Sequence, residues 1–243
     1  MAHGHKYIKE INMKLYCDTA SLKELKEYTQ DPTITGFTSN PTLMKKAGVT
    51  DYLEFAEQAV KISEGKPISF EVFSTNVSEM KRQAKLLARL GNNVYVKITP
   101  NNYDGSSLLD LIKELSDDGV QLNVTAVFTL SQVEKICQSL NPSIPCIISI
   151  FSGRIADAGI DPEPIVKESK KIASTYSDKW EILWASPREV FNIVQAERSG
   201  ADIITATPDI LAKRKSFGKN LDQFSLETTR MFIDDAKAAG YEL

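Results

Sequence analysis

The stretch Val94-Tyr95-Val96-Lys97-Ile98 decides how this chain folds. Its β-branched and aromatic side chains read as a buried strand, yet its fourth residue carries an amine. An ammonium is costly to bury without a partner. Burial therefore favours the neutral amine, which is a nucleophile for carbonyl carbons through a Schiff base. The competing reading is an edge-strand lysine whose stem packs while its head reaches water. The elements around the strand bear on which reading applies.

Similar short runs recur along the chain, at 14–17, 35–38, 68–73, 122–128, 146–151, 181–184 and 203–205. With 94–98 they make about eight, the number that closes a parallel barrel. Between them lie stretches with helical periodicity, at 21–28, 52–64, 77–90, 106–115, 131–138, 162–175, 188–198 and 208–214, and a long terminal one at 221–239. Alternation of this kind predicts an α/β protein, a single (β/α)8 TIM barrel with an additional C-terminal helix. A doubly wound open sheet is the rival. It would advertise a Gly-rich turn of the G-x-G-x-x-G kind, which the chain lacks. No linker or composition break divides residues 13–243, so they read as one domain. Residues 1–12 read as an extension ahead of Met13, either native or added for expression.

Composition narrows the function. A net charge of -3 with both signs interspersed gives neither a nucleic-acid footprint nor a membrane surface. No apolar run reaches transmembrane length. Cys17, Cys137 and Cys146 are odd in number and lack C-x-x-C spacing, which suits reduced thiols in a cytoplasmic protein rather than a disulfide framework or zinc site. The only histidines, His3 and His5, fall in the extension. Neither a Ser-His or Cys-His nucleophile pair nor a His-ligated metal can then be built in the core. The chemistry falls to lysine, carboxylates, hydroxyls, amides and arginine, with no metal or cofactor implied.

Barrel active sites form at the C-terminal ends of the strands. Polar residues gather at those ends here. They are Asp18, the Thr38-Ser39-Asn40-Pro41 run, Glu71, Lys97, the alternate pair Asn123 and Thr125, Ser149 with Arg154 just beyond, and Ser186 with Arg188 starting the next helix. Each has a plainer reading. Asp18 suits a helix cap, Asn40-Pro41 a turn, and Arg154 a surface pair with Asp157. Arg188 at a helix start is electrostatically unfavourable unless an anion shares the site. Their joint appearance at strand ends favours a common site.

The segments Leu15-Tyr16-Cys17-Asp18-Thr19-Ala20, Gly36-Phe37-Thr38-Ser39-Asn40-Pro41, Val96-Lys97-Ile98, Asn123-Val124-Thr125, Phe151-Ser152-Gly153-Arg154-Ile155-Ala156-Asp157 and Ala185-Ser186-Pro187-Arg188 resemble, in order and spacing, the transaldolase family. The resemblance spans about residues 13–224. It implies a (β/α)8 barrel with Lys97 as the Schiff-base lysine and Asp18 as the general acid/base beside it. It implies that Glu71 and Thr125 hold a catalytic water. It further implies that Asn40, Asn123 and Ser149 bind a dihydroxyacetone portion and that Arg154, Ser186 and Arg188 receive a substrate phosphate. Two guanidiniums at one barrel mouth with a helix N-terminus behind them suit a phosphate.

The sequence departs from the family pattern at Thr99-Pro100, where proline usually comes one residue earlier, at Pro187, where an aromatic is common, and at Ser39, which replaces a usual threonine. These departures bear on substrate identity more than on reaction type. The resemblance therefore implies transfer of a dihydroxyacetone unit between sugar phosphates. Two rivals stay open. One is an aldolase-type member that releases free dihydroxyacetone, against which Glu71 and Phe151 speak, since such members tend to carry Gln and Tyr there. The other is a non-catalytic barrel that binds sugar phosphates. Small members of the family often form rings through the terminal helix, so a homo-oligomer is also implied.

Overall fold

In the computed structural model, residues 11–243 are described. The expected extension over residues 1–12 lies outside the described residues except for Ile11 and Asn12. Eight strands close into one parallel barrel in sequence order: β1 (Lys14–Asp18), β2 (Ile34–Thr38), β3 (Ile68–Glu71), β4 (Val94–Ile98), β5 (Leu122–Val127), β6 (Cys146–Ile150), β7 (Trp180–Trp184) and β8 (Ile203–Ala206), with β8 returning to β1. Every expected strand is present, within a few residues of its expected ends.

Alternate residues of each strand face inward, and the register fixes which ones share a level. Glu71 lies level with Lys97, and Lys97 with Asn123. Asp18 lies level with Thr38. Below them, Tyr16, Ile147, Leu183 and Ile203 form an apolar plug distinct from the main core between strands and helices. Gly36 makes the plug possible. A Cβ there would meet the Tyr16 ring at 2.5–2.8 Å. A closed cylinder with a filled floor leaves only its C-terminal mouth to hold a ligand.

The helices are α1 (Leu22–Thr29), α2 (Pro41–Lys46), α3 (Tyr52–Ile62), α4 (Val77–Ala88), α5 (Leu109–Asp117), α6 (Leu130–Ser139), α7 (Ser152–Asp157), α8 (Glu163–Tyr176), α9 (Asn192–Ser199), α10 (Pro208–Ala212) and α11 (Leu221–Ala238). Side chains of Ser21, Asp51, Asn76 and Asn220 cap four of them, and Thr129 with Gln132 forms a capping box on α6. Three features differ from the sequence expectation. Helices α2 and α7 stand directly on the ends of β2 and β6, and at 6 residues each they are too short to show a 3.6-residue period. Helix α9 begins at Asn192, so Arg188 lies in the bend before it rather than at a helix start. The reason is local: Asn192 Oδ1 accepts from the backbone N–H groups of Arg188 and Glu189, which holds that bend ahead of the helix. Helix α11 contains no buried residue.

Candidate active site

The mouth of the barrel encloses a cavity of about 570 Å³, and all ten residues singled out from the sequence line it. Lys97 stands near the end of β4 and is only 7% exposed. Its Nζ donates to the Ser39 carbonyl oxygen at 2.9 Å and lies 3.2 Å from Glu71 Oε2. An edge-strand lysine reaching water is thereby ruled out. β4 is flanked by β3 and β5, and the side chain runs inward.

Glu71 is held through its backbone. The Tyr52 hydroxyl donates to its carbonyl at 2.7 Å and accepts from its N–H at 2.9 Å. Asp18 Oδ1 accepts from Thr38 Oγ1 at 2.7 Å. Burial pushes the Asp18 carboxyl above its ordinary value. The Lys97 ammonium and the Thr38 hydroxyl pull it back, and the Glu71 carboxylate adds a further push upward. Amine and acid thus line one cavity, and the amine's charge bears on the protonation of the acid.

The adjoining wall is polar and ordered. Asn123 Nδ2 donates to Ser69 Oγ at 3.1 Å, and Ser149 Oγ donates to Asn123 Oδ1 at 2.6 Å. Asn40 uses its side-chain oxygen to cap α2, accepting from Leu43 N–H at 3.0 Å, while the residue lines the cavity. The turn and the site are therefore one residue with two roles. Thr125 Oγ1 is buried and has no partner among the described residues. An unmet hydroxyl in a polar cavity suits a bound water or a ligand oxygen. Just beyond it β5 loses register, and Ala126 adopts φ +57°. Backbone strain of this kind concentrates where a site must be shaped.

The rim carries two arginines in different settings. The Arg154 guanidinium lies over the Phe151 ring, 5.7 Å from its centroid. Asp157 pairs with Arg188, not with Arg154. Arg188 Nε donates to Asp157 Oδ1 at 3.2 Å, and Nη2 contacts Oδ2. This corrects the surface pair between Arg154 and Asp157 suggested by sequence proximity. Between the arginines, Ser186 holds φ +59° against Gly153, whose absent Cβ would fall 1.6 Å from the Ser186 carbonyl oxygen. No other residue fits there. Among the described residues no group of three or more His, Cys, Asp and Glu is arranged to hold a metal ion.

Sequence reasoning assigned no site role to Thr38, Thr205, Tyr52, Gly153 or Asp157. Thr38 was readable only as part of a polar strand end, and Thr205 only as a strand former. Register with Asp18 and with inward-facing Tyr16 is what brings them to the cavity.

The protein named "Probable transaldolase" from Rhizobium meliloti (strain 1021) is 34% identical over 215 residues, covering 87% of this chain and 94% of that one. The protein of the same name from Ruegeria sp. (strain TM1040) is 32% identical over 234 residues, covering 95% of this chain and 100% of that one. Among solved structures, that of KGPDC from Streptococcus mutans superposes with a TM-score of 0.54 at 12% identity, over 82% of this chain and 89% of that chain, a likeness of fold alone. Residues 15–243 match the family described as Transaldolase/Fructose-6-phosphate aldolase, and the chain belongs to that family.

Proposed function

We propose that the chain transfers a dihydroxyacetone unit between sugar phosphates through a Schiff base on Lys97. The observation that carries this reading is the buried Lys97 amine beside Glu71, in one cavity with Asp18. The neutral amine attacks the C2 carbonyl of a ketose phosphate, and loss of water from the carbinolamine gives an imine. Glu71 and the unmet Thr125 hydroxyl hold the water that shuttles protons in this step. Asp18 takes the proton of the C4 hydroxyl, the C3–C4 bond breaks, and its electron pair flows into the imine to leave an enamine on Lys97. The aldose phosphate departs, a second aldehyde enters, and the same steps run backwards.

Asn40, Asn123 and Ser149 bind the hydroxyls of the three-carbon unit. Arg154, Ser186 and Arg188 bind the phosphate, whose contacts far from the reacting carbon supply orientation. No metal or organic cofactor enters this scheme.

Incubation with fructose 6-phosphate and erythrose 4-phosphate tests the reading. Transfer yields a seven-carbon ketose phosphate and little free dihydroxyacetone. Release of dihydroxyacetone independent of erythrose 4-phosphate contradicts transfer and favours the aldolase alternative. Binding without either product favours a non-catalytic barrel.

The proposed setting is the cytoplasm, supported by three free, buried cysteines and by the lack, among the described residues, of a helix long and apolar enough to cross a membrane. A homo-oligomer joined through α11 is supported by its exposed Leu221, Phe224, Met231 and Phe232. Sedimentation of wild type against Phe232→Glu tests it. A monomer in both would refute it.

A further inference from the structure

Asp18 is not held by Thr38 alone. Thr38 Oγ1 lies 2.5 Å from Thr205 Oγ1, so a line of two hydroxyls runs from β8 through β2 to the carboxylate on β1. Thr38 and Thr205 are 3% and 5% exposed, and both line the cavity. The direction of the line follows from counting protons. An ionised carboxylate only accepts, so Thr38 must donate to Asp18. A hydroxyl has a single proton, so Thr38 can receive only from Thr205. We propose that Thr205 and Thr38 form a directional two-hydroxyl relay that positions Asp18 as a base, filling Oδ1 so that a substrate proton is taken by Oδ2. Among the described residues no hydrogen bond engages Oδ2.

The proposal rests on the reading of Asp18 as the group that takes the C4-hydroxyl proton. In that step the substrate O–H bond breaks, the Oδ2–H bond forms, and the electron pair left on oxygen makes the new carbonyl as C3–C4 opens. A carboxylate in this position must stay ionised despite burial. The charged groups facing it are Lys97 from β4 and Glu71 from β3, with Arg154 and Arg188 farther off on the cavity rim. Lys97 and Glu71 act in opposite senses, and β2 and β8 offer only the two hydroxyls. Hydrogen bonds to the ionised form favour it. The relay supplies that bias and fixes which oxygen reacts. Thr38 and Thr205 are positioning residues, since neither is asked to exchange a proton with substrate.

The test uses Thr38→Val, Thr205→Val and the double variant, each checked for folding by circular dichroism. The Asp18 carboxyl is titrated by carbon-13 NMR in the substrate-free protein, its signal identified by loss in Asp18→Asn. The pH profile of kcat/KM is measured in parallel. Removing a hydrogen bond to a charged group should raise the Asp18 midpoint by about one pH unit in Thr38→Val. The acidic limb of the pH profile should move the same way. Thr38→Ser should restore both. Thr205→Val should give a smaller shift in the same direction, and the double variant should match Thr38→Val, because Thr205 acts only through Thr38.

A folded Thr38→Val with an unmoved midpoint overturns the relay. So does a profile that falls equally at every pH, which marks a structural role. If Thr38→Val does not fold, an unmoved midpoint in Thr205→Val overturns it instead. The NMR titration needs no substrate, so it reads the relay even if wild type forms no Lys97 adduct and the catalytic reading fails.

Discussion

Lys66 and Lys97 stand at opposite ends of neighbouring strands. Lys66, just ahead of β3, donates to three carbonyl oxygens, those of Thr29 and Ile34 at 2.7 Å and of Asp31 at 3.3 Å. An ammonium has three protons, and here each has an acceptor. Lys97, near the far end of β4, has one carbonyl and one carboxylate oxygen within reach and faces a cavity. The first lysine ties the loop between α1 and β2 to the foot of the barrel. The second keeps bonding capacity unspent. The same contrast extends to their surroundings. At the foot the Lys66 ammonium is satisfied, whereas the mouth gathers a buried carboxyl pushed above its ordinary value and an unmet threonine hydroxyl. Satisfied polar groups build stability, and unsatisfied ones are retained where chemistry needs them.

The comparison breaks if changes at the two ends have the same consequence. The largest expected effect is Lys97→Arg, which keeps the charge but cannot form the imine. Turnover should fall to background while the unfolding midpoint changes little. Activity near wild type would remove Lys97 from the mechanism.

Next comes Asp18→Asn, with an expected loss in kcat of about 10²–10⁴-fold, the usual size of general acid–base assistance. Its stability should move the other way. The folded protein raises the Asp18 carboxyl, so the folded state binds more protons than the unfolded chain between the ordinary and the raised value. Stability therefore falls as pH rises through that window. Asp18→Asn should be more stable than wild type at neutral pH, and the gain should vanish below the ordinary carboxylate range. Urea unfolding across pH checks this, and a gain that persists at low pH would contradict it.

The complementary change is Lys66→Met. Three carbonyls lose a charged donor, and unfolding free energy should drop by about 2–3 kcal/mol, with kcat per folded molecule unchanged. A fall in kcat without loss of stability would reverse the assigned roles. The smallest expected effect is Asp157→Asn. Loosening the clamp on Arg188 should raise KM for a phosphorylated ketose by roughly threefold to tenfold, about 1 kcal/mol, without touching kcat. An unphosphorylated ketose should show no change. Equal effects on both substrates would separate Asp157 from phosphate binding.

The barrel was legible because strand-forming runs alternate with capped, periodic helices, signals that survive in one dimension. Lys97, Glu71 and Asp18 were legible because charge inside an apolar run needs a reason. Helices α2 and α7 were not, since six residues cannot display a helical period. The partner of Arg188 was not, because Asp157 lies 31 residues away and only the approach of α7 to the end of β7 joins them. Thr38 and Thr205 were hidden for a related reason. They are 167 residues apart, and nothing in one dimension joins a threonine of β8 to the polar end of β2 until closure of the barrel sets Thr205 against Thr38.

Borohydride reduction of the wild-type protein with fructose 6-phosphate, followed by peptide mass analysis, reads the central contrast directly. One three-carbon adduct on the peptide bearing Lys97, with Lys66 unmodified, is the predicted result. An unmodified Lys97, or equal labelling of both lysines, would contradict it.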